Sequence, residues 1–261
     1  MTSLRLAALC GSLPPLLLLL LCTVAATAAY EPEDVEEDRV LGQNASLSSF
    51  PWQATVEFSG SPRCSGSILT PTMVLTAAHC TIDGIAQYIT VRVGTSTLNS
   101  GGDVYQADAI YIHQNYKMFS EDYDVSLLPL TSEIALEEGR VEVIPLPGNE
   151  TLPPELGAVL NVTGWSTENG TSADTLQLSQ MVVVNNTECV DGQGGNLTER
   201  MLCVAPLEGS ICKGDDGGPA VIDGVQFGIV SVAPYSCDTN TVLVNLAEYY
   251  VRDWIRYFSG V

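Results

Sequence analysis

The chain of 261 residues has little positive charge. It carries ten Lys and Arg against 31 Asp and Glu, which gives a formal net charge of −21 at pH 7. Proteins that bind nucleic acid or anionic membranes rely on clustered cations, so the composition predicts neither as a partner. Solubility alone explains such an acidic surface, and a basic protein partner is the alternative interpretation.

Long apolar runs are also scarce, since the one such run lies at the start of the chain. Arg5 precedes an apolar stretch with six leucines at Leu16 to Leu21, and small residues follow at Ala25 to Ala29. This order predicts a secretory signal peptide over residues 1–29, and hence a secreted, extracellular protein. A membrane anchor is the alternative, because the stretch is long enough to span a bilayer.

Residues 30–39 contain six acidic residues and end in one base, Arg39. Such a dense run of like charges predicts an exposed, unfolded acidic segment rather than part of a core.

Helical periodicity is absent from most of the chain. Short runs rich in Val, Ile, Thr and Tyr alternate with Gly, Pro, Asn and Ser clusters, which predicts an all-β sandwich or barrel. The runs are Gln53–Phe58 and residues 66–69, 88–93, 104–112 and 125–130. Near the C-terminus, aromatic and apolar residues at helical spacing predict an amphipathic helix over residues 246–258.

Six of the eight cysteines lie outside the predicted signal peptide. An even number in a secreted chain predicts three disulfides, and sequence alone allows fifteen connectivities. The six are Cys64, Cys80, Cys189, Cys203, Cys212 and Cys237.

Three motifs follow one another in the chain: Leu-Thr-Ala-Ala-His-Cys ending at Cys80, Asp-Val-Ser-Leu-Leu beginning at Asp124, and Gly-Asp-Asp-Gly-Gly-Pro beginning at Gly214. They resemble the histidine, aspartate and nucleophile motifs of the trypsin/chymotrypsin-like (S1-type) serine proteases. The resemblance implies two packed antiparallel six-stranded β-barrels with a C-terminal α-helix. It places the protease domain at residues 40–261, with barrels at about 40–145 and 146–245.

The resemblance assigns the triad positions to His79, Asp124 and Asp216, with Asp216 where the family has its serine. Asp122 is a nearby alternative to Asp124, although the apolar run begins after Asp124. The oxyanion hole would use the N–H groups of Gly214 and Asp216. His113 lies outside every motif and is predicted to be structural.

The resemblance also implies an activation site, as in a trypsin-like zymogen. Cleavage after Arg39 by an activating protease would free an N-terminus at Val40, which would pair with Asp215. The alternative is that Val40 begins the first strand without cleavage.

The substrate pocket departs from the family pattern. Ser210 falls where the trypsin-like aspartate selects Lys or Arg, so a pocket selective for basic residues is not expected. Ser231 fits the serine beside the triad aspartate. Val232 and Ala233 replace the usual Trp-Gly that lines the pocket.

The resemblance implies three disulfide pairs: Cys64 with Cys80, Cys189 with Cys203, and Cys212 with Cys237. Leu160 and Ile222 occupy the positions of a further family disulfide, which predicts a repacked core there.

Several N-x-[ST] sequons predict a glycoprotein. A sixth, at Asn161, is discounted because it falls in a predicted buried strand. The five candidates are Asn44, Asn149, Asn169, Asn185 and Asn196.

Asp216 decides the functional prediction. An ionised carboxylate has no proton for His79 to remove and is a poor nucleophile toward amides. Two nearby carboxylates also favour imidazolium at His79. The sequence therefore predicts a secreted, non-catalytic protease homologue that needs no cofactor or metal and binds an extracellular protein or regulates a proteolytic cascade. The alternative is an active secreted serine endopeptidase with an atypical nucleophile and non-tryptic specificity.

Overall fold

In the computed structural model of the chain, the described residues are 43–166, 172–190, 194–233, 237 and 239–261. They form β-strands and one α-helix longer than a single turn. The strands are β1 Gln43–Asn44, β2 Gln53–Phe58, β3 Ser61–Thr70, β4 Met73–Thr76, β5 Ile89–Val93, β6 Asp103–Gln106, β7 Tyr111–Ile112, β8 Ser126–Pro129, β9 Val159–Ser166, β10 Ser172–Val183, β11 Met201–Glu208, β12 Pro219–Ile222, β13 Val225–Val232 and β14 Thr241–Asn245, and the helix is α1, Tyr249–Ser259.

The first antiparallel sheet has the strand order β6-β5-β2-β3-β4-β8-β7. The prediction of one continuous strand over residues 104–112 is wrong, because the chain changes partner there. β6 pairs with β5, Ala107 then bridges to Leu130, and β7 pairs with β8. This single bent segment closes the sheet into a ring, in which β6 and β7 together take the place of one strand.

The second antiparallel sheet has the order β1-β10-β11-β14-β13-β12-β9, and β10 also pairs with β9. That extra pairing closes a ring of six strands, and β1 lies outside it. Gln43 and Asn44 pair with Leu178 and Gln177 of β10, so this early segment joins the second sheet rather than the first. The predicted all-β fold with two six-stranded barrels is confirmed.

Each barrel encloses its own apolar core. In β5 the buried side chains of Ile89, Val91 and Val93 alternate with outward ones, as a strand with one buried face requires. Burying each such side chain contributes about 1.5–3 kcal/mol. Leu160 is fully buried in the second core and Ile222 packs against the same cluster, in agreement with the predicted repacking.

The predicted C-terminal helix is confirmed, but it begins at Tyr249 rather than Leu246. The backbone N–H of Leu246 donates to Phe227 O and so extends the strand pairing. Glu248 caps the helix by accepting from the N–H of Val251, and Gly260 ends it at φ 81°. Within the described part of the chain, no helix has the length and apolar character needed to cross a bilayer.

Candidate active site

His79 and Asp124 meet because two paired strands deliver them to the same end of the first barrel. β4 ends at Thr76 and β8 begins at Ser126, and these two residues are register partners. His79 follows β4 by three residues and Asp124 precedes β8 by two. The antiparallel pairing therefore brings the two side chains together.

The Asp124 carboxylate is fully buried and well supplied with donors. It accepts from the backbone N–H of His79 at 2.8 Å, from His79 Nδ1 at 2.7 Å and from Ser231 Oγ at 2.6 Å. This geometry fixes the imidazole ring and leaves Nε2 3.9 Å from Asp216 Oδ1. The alternative at Asp122 is wrong, because that carboxylate pairs instead with Arg200 at 2.8 and 2.9 Å.

The loop between β11 and β12 carries Asp216 and packs so tightly against the first barrel that it requires glycine. A Cβ at Gly217, where φ is +79°, would lie 2.2 Å from Thr76 Oγ1 and 2.4 Å from Ser65 O. The N–H of Ser65 donates to Asp216 O at 2.8 Å. The position of Asp216 is thus set by contacts with the first barrel.

The Asp216 carboxylate lies next to the imidazole ring of His79. One oxygen accepts from the N–H of Gly214 at 3.2 Å and the other from the N–H of Ala233 at 3.4 Å. Oδ1 lies 3.9 Å from His79 Nε2, and 14% of the side chain is exposed. The N–H of Gly214, predicted to be an oxyanion-hole donor, is therefore paired with the protein's own carboxylate.

Burial and charge act in opposite directions on His79. Burial lowers its pKa, but the hydrogen bond and charge of Asp124, with the charges of Asp216 and Glu121, outweigh burial and leave the pKa raised. This direction favours imidazolium, which has no lone pair at Nε2 with which to accept a proton. Burial also raises the pKa of Asp216, although the His79 charge and two backbone N–H groups act against that shift.

Asp215 points away from Asp216 into the second barrel. It accepts from the N–H of Ser166 at 3.0 Å, from the N–H of Cys212 at 3.1 Å and from the hydroxyl of Ser166. Complete burial raises its pKa to about 6 in spite of these bonds. A Cβ on Gly164 would overlap its carboxylate, so glycine is required there as well. Arg39 and Val40, the predicted activation residues, lie outside the described residues.

The predicted pocket residues lie in different environments. Ser231, near the end of β13, is buried and its hydroxyl donates to Asp124. Ser210 is partly buried and its Oγ lies 3.9 Å from Cys212 Sγ. Ala233 contributes its N–H to Asp216. The side chain of Val232 lies outside what the structure describes.

The three predicted disulfides are confirmed, with pairs Cys64–Cys80, Cys189–Cys203 and Cys212–Cys237. The first bridge lies beside His79, and these three residues place one nitrogen and two sulfurs close together. Both sulfurs are in the disulfide, and metal binding by cysteine requires a thiolate. This cluster is therefore explained by the bridge rather than by a metal.

The other predicted residues are readily placed. His113 is buried and its ring stacks on Tyr123, with centroids 4.3 Å apart. Burial lowers its pKa to about 4, as expected for a neutral structural histidine. Among the sequon asparagines, Asn169 lies outside the described residues, whereas Asn44, Asn149, Asn185 and Asn196 are exposed.

Sequence reasoning missed several residues that support the site. Arg200 reaches from the second barrel to Asp122 and lies over the Tyr123 ring, 4.7 Å from its centroid. Ser166 holds Asp215, and Glu121 contributes charge near His79. No motif marks these contacts; the one available signal was the position of Ser166 directly after the Gly164-Trp165 pair.

Comparison with known proteins places this chain in a family. The family model described as Trypsin matches residues 39–255, and the chain therefore belongs to the trypsin family of serine proteases. Trypsin alpha of Drosophila melanogaster is 32% identical over 251 residues, which are 92% of this chain and 96% of that protein. Trypsin alpha-4 of Lucilia cuprina is 32% identical over 228 residues, 84% of this chain and 88% of that protein.

Two solved structures share the fold. The crystal structure of scabies mite inactivated protease paralogue S-D1 superposes with a TM-score of 0.75 at 26% identity, covering 84% of this chain and 97% of that one. The structure of human heparin binding protein has a TM-score of 0.72 at 24% identity, covering 84% of this chain and 95% of that one.

Proposed function

We propose that this chain is a secreted trypsin-family protein that does not hydrolyse peptides and acts by binding an extracellular protein, as a partner or regulator in a proteolytic cascade. Asp216 replaces the nucleophilic serine in this proposal. The observation that carries it is the pairing of the Asp216 carboxylate with the N–H groups of Gly214 and Ala233.

Peptide hydrolysis by this family needs a hydroxyl that histidine can deprotonate. A carboxylate at residue 216 supplies none, and attack on an amide would give an adduct that expels carboxylate more readily than amine. The raised pKa of His79 adds a second obstacle, since an imidazolium is no general base. Loss of one triad member costs roughly 10⁴- to 10⁶-fold in kcat.

The hydrogen bonds of Asp216 add an obstacle beyond the missing hydroxyl. An oxyanion needs free N–H donors at the point where its charge develops. The Gly214 N–H donates to the protein's own anion, so a carbonyl oxygen entering the site competes with a carboxylate already in place. The scabies mite protein is described as an inactivated protease paralogue, and this chain shares its fold at 26% identity.

We further propose that cleavage after Arg39 frees an N-terminus at Val40, which pairs with Asp215. A buried carboxylate without a cation is costly, and an ammonium beside it offsets that cost. The bonds from the N–H groups of Ser166 and Cys212 hold the carboxylate in a fixed position, to which the ammonium would come.

The test compares the secreted protein, cleaved after Arg39, with its Asp216→Ser variant. Both are assayed on a broad peptide library and with a serine-reactive phosphonate. The expected result is no turnover and no labelling of the parent protein, and labelling of the variant at residue 216. Asp216→Ala serves as the matched control, because it removes the carboxylate without supplying a hydroxyl.

Turnover or labelling of the parent protein would refute the proposal and support the active endopeptidase. Activity that appears in Asp216→Ser alone shows that His79 and Asp124 are still correctly placed. If Asp216→Ser folds but is not labelled, the altered pocket at Ser210 and Ala233 contributes to the loss as well.

A further inference from the structure

A cavity of about 440 Å³ opens beside the active site, between the loop that leads to Asp124 and the segment before β11. The polar residues that line it include Gln114, Asn115, Lys117, Ser120 and Thr198. The volume lies within the range of about 300–1,000 Å³ that small-molecule sites have. Amides, hydroxyls and one cation supply both donors and acceptors, which suits a polar, hydroxyl-rich occupant.

The carboxylate of Asp122, which also lines this cavity, already has its hydrogen-bond donors. Asp122 accepts two bonds from Arg200 and one from Thr198 Oγ1 at 3.0 Å. Lys117, by contrast, has no ion-pair partner among the described residues. The cavity therefore presents a neutral to weakly cationic lining on a strongly acidic protein.

A candidate occupant is attached two residues from the cavity wall. Asn196, Leu197 and Thr198 form an N-x-T sequon, and Asn196 is exposed. Leu197 packs inward against the cluster around Cys189 and Cys203. Two residues of extended chain span at most about 7 Å, so Asn196 lies no farther than this from Thr198 in the cavity wall, a distance that the sugar rings of an N-glycan can bridge.

The opposite rim of the cavity exposes apolar surface that a glycan would cover. Met118 is 50% exposed and Phe119 is 69% exposed, and both directly follow Lys117. Two neighbouring exposed apolar side chains form a small apolar surface, which is stabilised when another group covers it. A sugar ring offers C–H faces to such side chains while its hydroxyl and acetamido groups meet the cavity amides.

We propose that an N-linked glycan on Asn196 lies in this cavity and shields the Lys117-Met118-Phe119 loop. The glycan forms one wall of the cleft region and keeps the loop from proteases and from other proteins. This inference rests on the proposed secretion, since N-glycosylation requires the secretory route, but it is independent of the loss of peptidase activity.

The test expresses the full chain in cells that add N-glycans and compares it with Asn196→Gln and with Asn149→Gln, which removes an exposed sequon elsewhere. Intact mass reports occupancy of each asparagine. Trypsin cleavage after Lys117 and hydroxyl-radical oxidation of Met118 report shielding. We expect Asn196→Gln to increase both rates ~10-fold, as for an uncovered loop tip, and Asn149→Gln to change neither.

If Asn196→Gln folds poorly, enzymatic removal of the glycans from the native parent protein gives the same comparison. An occupied Asn196 with unchanged rates after glycan removal would overturn the inference. The inference would also be overturned if Asn196 carried no glycan while other sequons did. That result would still agree with the proposed secretion. Absence of glycan from every sequon would count against both.

Discussion

Asp124 and Asp216 are two carboxylates on opposite sides of one imidazole, and they use their hydrogen bonds in opposite ways. Asp124 accepts from His79 and Ser231, so its bonds fix the ring that a protease needs. Asp216 accepts from Gly214 and Ala233, two main-chain donors that face the cleft. The same chemical group supports the site on one side and fills it on the other.

This contrast divides the site into two halves. The supporting half comprises His79, Asp124, Ser231, Asp215 and the Cys64–Cys80 bridge, and its contacts are dense and buried. The cleft-facing half comprises Gly214, Asp216, Ala233 and Ser210, and it places a carboxylate 3.9 Å from His79 Nε2. The supporting half is therefore constrained by buried contacts that do not depend on the chemistry of the cleft.

The largest expected effect concerns the packing of the Asp216 loop against the first barrel. Gly217→Ala places a Cβ against Thr76 and Ser65 in a backbone with positive φ, so overlap adds to strain. We expect it to lower the free energy of unfolding by about 4 kcal/mol, measured by urea denaturation.

The matched control is Gly224→Ala, where φ is +77° and a Cβ meets nothing within 4 Å. This variant adds only the backbone strain of a side chain at positive φ. We expect it to lower the free energy of unfolding by about 1–2 kcal/mol. Equal losses in the two variants would show that the close packing of the Asp216 loop has no energetic consequence.

The next effect concerns the buried Asp215. Its pKa is raised to about 6, so between pH 4 and 6 the folded state holds a proton that the unfolded state has released. The free energy of unfolding therefore falls as pH rises through this window, by about 3 kcal/mol from this group. The measurement is the difference in unfolding free energy between uncleaved Arg39→Gln protein and its Asp215→Asn derivative at several pH values.

Cleavage after Arg39 allows a second comparison, between the pH dependence of unfolding in cleaved and in uncleaved protein. An ammonium beside Asp215 lowers its pKa, so the fall between pH 4 and 6 should shrink in cleaved protein. If the cleaved and uncleaved forms have the same pH dependence, the proposed pairing of Val40 with Asp215 is wrong.

A smaller expected effect is the change that each of the two carboxylates causes in the pKa of His79. Asp124 raises the pKa of His79 by a hydrogen bond and by charge, whereas Asp216 acts by charge alone. Asp124→Asn should therefore lower the pKa of His79 more than Asp216→Asn does, in an NMR titration of the ring. The reverse order would mean that the cleft-facing carboxylate, and not the supporting one, controls the histidine.

Much of this fold was predictable because short motifs carry its tightest contacts. The resemblance placed His79 and Asp124 in one site, where the two side chains are hydrogen-bonded, and Gly217 beside Asp216 makes a close approach that admits no side chain. The run of β-favouring residues between turn signals predicted β2 to the residue. These features are local, so the sequence alone reveals them.

The rest depends on contacts between distant segments. The ion pair of Arg200 with Asp122 joins residues 78 apart, and the bond from Ser166 to Asp215 joins residues 49 apart. The break between β6 and β7 arises because one segment must serve two neighbours in a closed ring. The bond from Ala233 to Asp216 depends on a side-chain rotamer, which no local pattern specifies.

The most direct test of the central claim follows the amide protons of Gly214 and Ala233 by NMR as pH is varied, in the parent protein and in Asp216→Ala. If the Asp216 carboxylate fills the site, both amide signals titrate together with the Asp216–His79 pair in the parent protein. Both responses then disappear in Asp216→Ala. If the two amide signals do not change with pH in the parent protein, or if they titrate equally in Asp216→Ala, the pairing of Asp216 with Gly214 and Ala233 is wrong.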